Sequence, residues 1–279
     1  MQRYSNIYKI LSNPESNTKY TYYFSIPKNM SSYSKFIFQI PVARPNYDKY
    51  PRLKNTWEKR YPTQKQKNVS KKYDIKVVCS RAYELESKEP HQVFLISRNP
   101  YDRLFSSYQM YTKIKQNSTK EHQSRKNSVL NYYLAQGRTG AAHETLPKQV
   151  QDSLGKGFDS YVDAVCGTLN RGERIDNHYA VQCDFLRGIC KKNHFKNVHI
   201  EKMESNTSPF NKLCELTILD EEIVINEKIQ PDCMYFIHNH KPLSRTMTAS
   251  SIKKITHTYT EDFDFFGYDF EDFGSLAVV

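Results

Sequence analysis

The stretch from Val93 to Tyr111, VFLISRNPYDRLFSSYQMY, constrains the fold more than any other. An apolar run, VFLIS, stops at a polar bend, Arg98-Asn99-Pro100, and Tyr101, Leu104, Tyr108 and Tyr111 then recur at helical spacing. A short apolar run, a breaker and a 3.6-period stripe read as a buried strand, a loop and a helix. Pro100 suits the first turn of that helix, where a missing N–H is no loss. The unit places Arg98 at the strand's end and Ser106 about two turns into the helix. A guanidinium and a hydroxyl brought together there could clamp a phosphate. The alternative is an arginine paired with Asp102 on a helix surface.

A second unit of the same kind lies earlier. Tyr20 to Ile26 is rich in aromatic and β-branched residues and reads as a strand. It ends at Pro27-Lys28-Asn29-Met30-Ser31-Ser32, and a helix is expected from Tyr33 to Ile40. A lysine and two serines at a helix N-terminus can form an anion site with the backbone N–H groups. The loop lacks the glycines and the Gly-Lys-Ser/Thr order of a Walker A sequence. A serine capping an ordinary helix is the other reading. Two strand–loop–helix units in a chain of 279 residues point to an α/β domain.

The net charge of +11 favours an anionic partner, whether nucleotide, nucleic acid, acidic glycan or membrane surface, although a solvated basic surface would carry the same charge. The basic residues concentrate between 44 and 76, where Arg44, Lys49, Arg52, Lys59 and Arg60 surround the single tryptophan, Trp57. Residues 41–73 therefore read as a basic loop or lid. Residues 1–19 read as a polar lead-in, and 20–279 as one domain. Further strands and helices are expected at Val198 to Ile200, Phe158 to Leu169, Lys212 to Leu216 and Ser250 to Phe263. The six cysteines are widely spread, with no CxxC and no zinc spacing, so free thiols are expected. Cys183 and Cys190 could bridge only in an oxidising compartment. No apolar run approaches the ~18 residues of a membrane span, and MQRYSNIYKIL has no signal-peptide core. A cytoplasmic chain is expected, unless an N-terminal Golgi anchor has been removed.

Four stretches, IPKNMSS, ISRNPYDRLFSSY, DNHYAVQCDFL and YTEDFDFFGYDF, resemble in order four motifs of the Golgi-type carbohydrate sulfotransferases and their bacterial relatives. Those motifs are the family's 5′-phosphosulfate loop, P-K-x-G-S/C-S/T, its 3′-phosphate motif, R-D-P-x-x-R-L-x-S-x-Y, its D-x-H-W/F-x-P-Q-x-x-F/L segment and its C-terminal Y-x-x-D-F-x-x-F-G-Y. The second and fourth are the specific ones. Met30 stands where the family usually has glycine, Asn99 where it has aspartate, and Tyr179 and Val181 at the aromatic and proline positions of the third.

The resemblance implies a P-loop-like three-layer fold, a central parallel sheet between helices. It implies 3′-phosphoadenosine 5′-phosphosulfate (PAPS) as sulfuryl donor, PAP as product, and no metal. Lys28, Asn29, Met30, Ser31 and Ser32 would then hold the 5′-phosphosulfate, and Arg98 and Ser106 the 3′-phosphate, with Lys241 a further candidate for the phosphates. Lys28 would also stabilise charge on the departing phosphate. His178, oriented by Asp176, would take the acceptor's proton, a role that suits a side chain titrating near neutral pH; Glu201 and Glu204 are alternatives. Phe263, Phe266 and Tyr268 read as core. A sugar or glycan hydroxyl is the expected acceptor, with a small hydroxylated metabolite or peptide tyrosine as the alternative. A non-catalytic basic protein binding glycan or nucleic acid is the remaining reading. Nucleic acid is disfavoured because no RNP, KH or zinc-finger pattern is present.

Overall fold

The computed structural model describes residues 6–26, 29, 73–78, 91–116, 146–173, 177–186, 195–219 and 244–279. A five-stranded sheet runs in the order β3-β1-β2-β4-β5. Its strands are β1 (Asn6–Leu11), β2 (Tyr20–Ser25), β3 (Lys76–Val78), β4 (His91–Ser97) and β5 (Phe195–Lys202). The central strand and the helix after it stand where the sequence places them: α1 spans Pro100–Gln116. The remaining helices among the described residues are α2 (Lys148–Ser153), α3 (Phe158–Asn170), α4 (Pro209–Leu216), α5 (Ala249–Thr258) and α6 (Thr260–Phe266). A small parallel pair joins β6 (Thr246–Met247) to β7 (Ala277–Val278).

The sheet is mixed rather than parallel throughout. β2, β4 and β5 run parallel, while β1 is antiparallel to both β2 and β3. The expected lead-in is thus partly a strand. Ile7, Tyr8 and Ile10 are all buried, Ile7 on one face of the sheet and Tyr8 and Ile10 on the other. The chain turns back after β1 with Ser12 N–H donating to the Lys19 carbonyl (3.1 Å) and Glu15 N–H to Asn13 Oδ1 (3.1 Å). Antiparallel neighbours need only such a turn, whereas parallel ones need a crossover. The expected helix at 33–40 and the basic stretch at 41–72 lie outside the described residues.

β4 is buried on both faces, which is why it reads as an unbroken apolar run. Val93 and Leu95 pack with Tyr22 and Phe24 against α1, α3 and α6. Phe94 and Ile96 pack with Tyr23 against Phe210 and Leu213 of α4. Helices therefore cover both sides of the sheet. The aromatic stripe of α1 is buried as its spacing predicts, with Phe105 edge-on to Phe158 (ring centroids 5.1 Å apart) and Tyr101 edge-on to Phe263 (5.2 Å). Buried aromatic pairs of this geometry add about 0.5–1.5 kcal/mol each beyond the area they bury.

The expected C-terminal helix is two. It breaks at Tyr259, whose buried hydroxyl donates to the Tyr179 carbonyl (2.6 Å). α6 then ends at Gly267, which at φ 63° adopts the left-handed conformation that glycine tolerates best. Cys166, Cys183 and Cys214 are buried, and burial pushes the Cys166 thiol up to about 11. Because Ile10 is fully buried on a strand between β2 and β3, Ile10→Ala is expected to cost about 2–5 kcal/mol of stability. Urea unfolding checks this; a midpoint unchanged from wild type would mean that β1 is not part of the core.

Candidate active site

β2 and β4 are adjacent and parallel, so the loops that leave their C-terminal ends emerge side by side. Ligands of open α/β sheets bind at that edge. Two residues of those loops are tied together by Gln182. Its Oε1 accepts from Asn29 Nδ2 (2.5 Å) and from the Arg98 backbone N–H (3.1 Å). Its Nε2 donates to the Arg98 carbonyl (2.8 Å). Asn29 Nδ2 also donates to the Ile96 carbonyl (2.8 Å), which fixes the first loop against the last residues of β4.

Gln182 is itself anchored by Asp262 of α6. The Asp262 carboxylate accepts from the backbone N–H groups of Gln182 (Oδ2, 2.8 Å) and Cys183 (Oδ1, 2.8 Å). Asp262 is fully buried, and burial pushes its carboxyl above the usual range against the opposing pull of Arg103 and the two N–H groups. Arg103 is also buried, and loss of solvent draws its guanidinium below its ordinary value. It donates to the carbonyls of Ala180 (Nη1) and Asn177 (Nη2, 3.1 Å). Arg103 of α1 and Asp262 of α6 thus hold the segment 177–183 between them through hydrogen bonds to its backbone.

That segment carries His178. Its Nδ1 lies 3.3 Å from the Tyr111 hydroxyl, with the two rings edge-on. Tyr111 is therefore an orienting partner for the imidazole; Asp176, expected in that role, lies outside the described residues. So do Lys28, Met30, Ser31, Ser32 and Lys241.

Asn99 caps α1, its Oδ1 accepting from the Tyr101 N–H (3.0 Å). Arg98, just before it, is half-buried; burial lowers its pKa, while the carboxylates of Asp102 and Glu204 raise it. Asp102 does not make a simple surface pair with it, because its carboxylate also accepts from the N–H and hydroxyl of Ser275. Ser106 is half-buried two turns along the same helix.

The alternative base Glu204 has both oxygens engaged. One accepts from the Asn99 N–H (2.8 Å) and the other from the Tyr268 hydroxyl (3.0 Å). It braces the Arg98 bend. Tyr268, expected as core, also bonds the Ser97 hydroxyl (3.0 Å), so its polar end belongs to the site. Burial pushes its hydroxyl far above the usual range. Phe263 and Phe266 are core as expected.

A family model described as Sulfotransferase family matches residues 16–269, most of the chain. The chain belongs to the sulfotransferase family. No curated protein and no solved structure matches it significantly. Among the described residues of this sulfotransferase, no helix is long and apolar enough to cross a membrane.

Gln182, Asp262, Arg103 and Tyr111 have functional positions that the sequence reading did not assign. Gln182 and Asp262 stand inside two of the quoted motifs, and a polar residue in an apolar or aromatic run was the available signal. Removing Asp262 would leave two buried N–H groups and the Arg103 charge uncompensated. Asp262→Ala is expected to cost about 3–5 kcal/mol, measured as a fall in the urea unfolding midpoint. A loss too small to resolve would contradict the role given to the buried carboxylate.

Proposed function

We propose that this sulfotransferase uses PAPS as donor and sulfates a hydroxyl of a carbohydrate. The observation that carries the donor reading is the Gln182 bridge, which draws Asn29 of one cationic loop and the Arg98 bend of the other to a single point. A donor with anionic groups at two places suits two adjoining cationic loops. The residues fit it in two further respects. Arg98 is a half-buried guanidinium, the form of cation that grips a phosphate bidentately. Asn29 Oδ1 is buried and has no hydrogen-bond partner among the described residues, so the first loop retains an unfilled polar position.

In this reading Lys28, Ser31, Ser32 and the loop N–H groups hold the 5′-phosphosulfate, and Arg98 and Ser106 hold the 3′-phosphate. The donor supplies the sulfuryl group and a phosphate that departs. His178, steered by Tyr111 through Nδ1, takes the proton of the acceptor hydroxyl as its oxygen bonds to sulfur. Lys28 neutralises the charge that builds on the bridging oxygen as the bond from sulfur to the 5′-phosphate breaks. As in phosphoryl transfer, positioning and charge stabilisation do most of the catalysis. The net charge of +11 suits an acceptor that is itself acidic.

PAP at 100 times its Kd is expected to stabilise the protein by about 2.7 kcal/mol, seen as a raised melting temperature, and Arg98→Ala should abolish the shift. Equal stabilisation of the variant would refute the assignment of Arg98. His178→Ala is expected to lower sulfuryl transfer on the order of 10²–10⁴-fold with PAP affinity retained; unchanged turnover would remove His178 as the base.

A further inference from the structure

The family match ends at residue 269, yet the chain beyond it packs on the Arg98 bend. The Asn99 amide donates through Nδ2 to the Asp272 carbonyl (2.8 Å). The Tyr101 hydroxyl donates to the Phe270 carbonyl (2.8 Å), and Phe273 lies edge-on to the Tyr101 ring (5.5 Å). Ser275 then donates twice to Asp102 Oδ1, from its N–H (3.1 Å) and from its hydroxyl (2.5 Å). Gly274, at φ 61°, allows this approach: a Cβ there would fall 2.6 Å from Asp102 Oδ2. Three residues at the start of α1, Asn99, Tyr101 and Asp102, therefore fasten the same C-terminal segment.

The segment goes on to hold something. Ala277 N–H donates to the Arg245 carbonyl (2.8 Å), and Val279 N–H to that of Met247 (3.1 Å), as β7 pairs with β6. Arg245 is exposed, and its guanidinium makes no hydrogen bond or ion pair among the described residues. Its charge nevertheless reaches Arg98 and opposes the proton there. The strap joins the two places, with Ser275 on Asp102 and Ala277 on Arg245; like charges repel, and an anion shared by both arginines would remove that cost. The Asn99 side chain also explains why asparagine stands where the resembled family has aspartate. A carboxylate could still accept the Tyr101 N–H and cap α1, but it has no proton to give the Asp272 carbonyl.

We propose that residues 270–279 are a positioning strap, fastened by Asn99 and Asp102, that holds Arg245 beside Arg98 as the second arm of a site for a phosphate monoester. Resting on the donor reading, it makes Arg245 a binding residue for the 3′-phosphate and Asn99 a positioning residue that acts through the strap. A phosphate monoester suits two arginines because it offers three acceptor oxygens and close to two negative charges.

The test compares the affinities of PAP and AMP, which differ only in the 3′-phosphate, by titration calorimetry. The wild type should prefer PAP. Arg245→Gln should reduce the PAP-to-AMP ratio at least tenfold, with AMP affinity unchanged, and Arg245→Lys should restore part of it. Asn99→Asp and deletion of residues 274–279 should reduce the ratio in the same sense. An undiminished ratio in Arg245→Gln overturns the inference while leaving the donor reading in place. A reduced ratio in Arg245→Gln with none in Asn99→Asp or the deletion removes the strap. A wild type with no preference for PAP overturns the donor reading, and this inference with it.

Discussion

The site depends on one buried contact, the Asp262 carboxylate receiving the backbone N–H groups of Gln182 and Cys183 with the Arg103 charge nearby. A buried charge is tolerated only when it is paired and hydrogen-bonded, and here the pairing has a geometric consequence. It fixes the Gln182 side chain, which fixes both the Arg98 backbone and the Asn29 amide. Arg103 completes the arrangement by gripping the carbonyls on either side of His178 and Tyr179. The anion-binding bends and the segment carrying the proposed base are thus braced by the same few side chains.

Helix α1 is the common element. Its N-terminal residues meet the C-terminal segment through Asn99, Tyr101 and Asp102. Its first turn carries Arg103, whose charge acts on Asp262, and its fourth turn presents Tyr111 to His178. Its apolar face is locked into the core by Leu104, Phe105 and Tyr108. A rigid helix that is packed on one face and polar at its leading end suits a site in which placement matters more than covalent chemistry.

β4 and α1 were legible in the sequence because every local signal agreed there: an apolar run, a breaker and a helical stripe. Arg98 followed from the same logic, as the residue where the strand must stop. β1 was not legible, because Asn6–Leu11 is short and Asn6, Tyr8 and Lys9 interrupt its apolar residues; burial comes only when β2 and β3 flank it. Strand direction was equally hidden, since a strand's own residues do not state which way its neighbour runs. The Gln182–Asp262 contact spans 80 residues, and only the folded chain brings its ends together. Glu204 was readable as an acidic residue near a strand end, but its use as a brace depends on Asn99 and Tyr268, each distant in sequence.

The account's central claim is that these braced cationic loops serve sulfuryl transfer to a sugar. The most direct measurement is transfer of label from PAPS, labelled in its sulfuryl group, to a panel of glycans, small hydroxylated metabolites and tyrosine peptides. The account predicts label in an ester of a glycan hydroxyl. Label confined to the metabolites or peptides would contradict the acceptor, and PAP binding without transfer to any acceptor would contradict the catalytic reading.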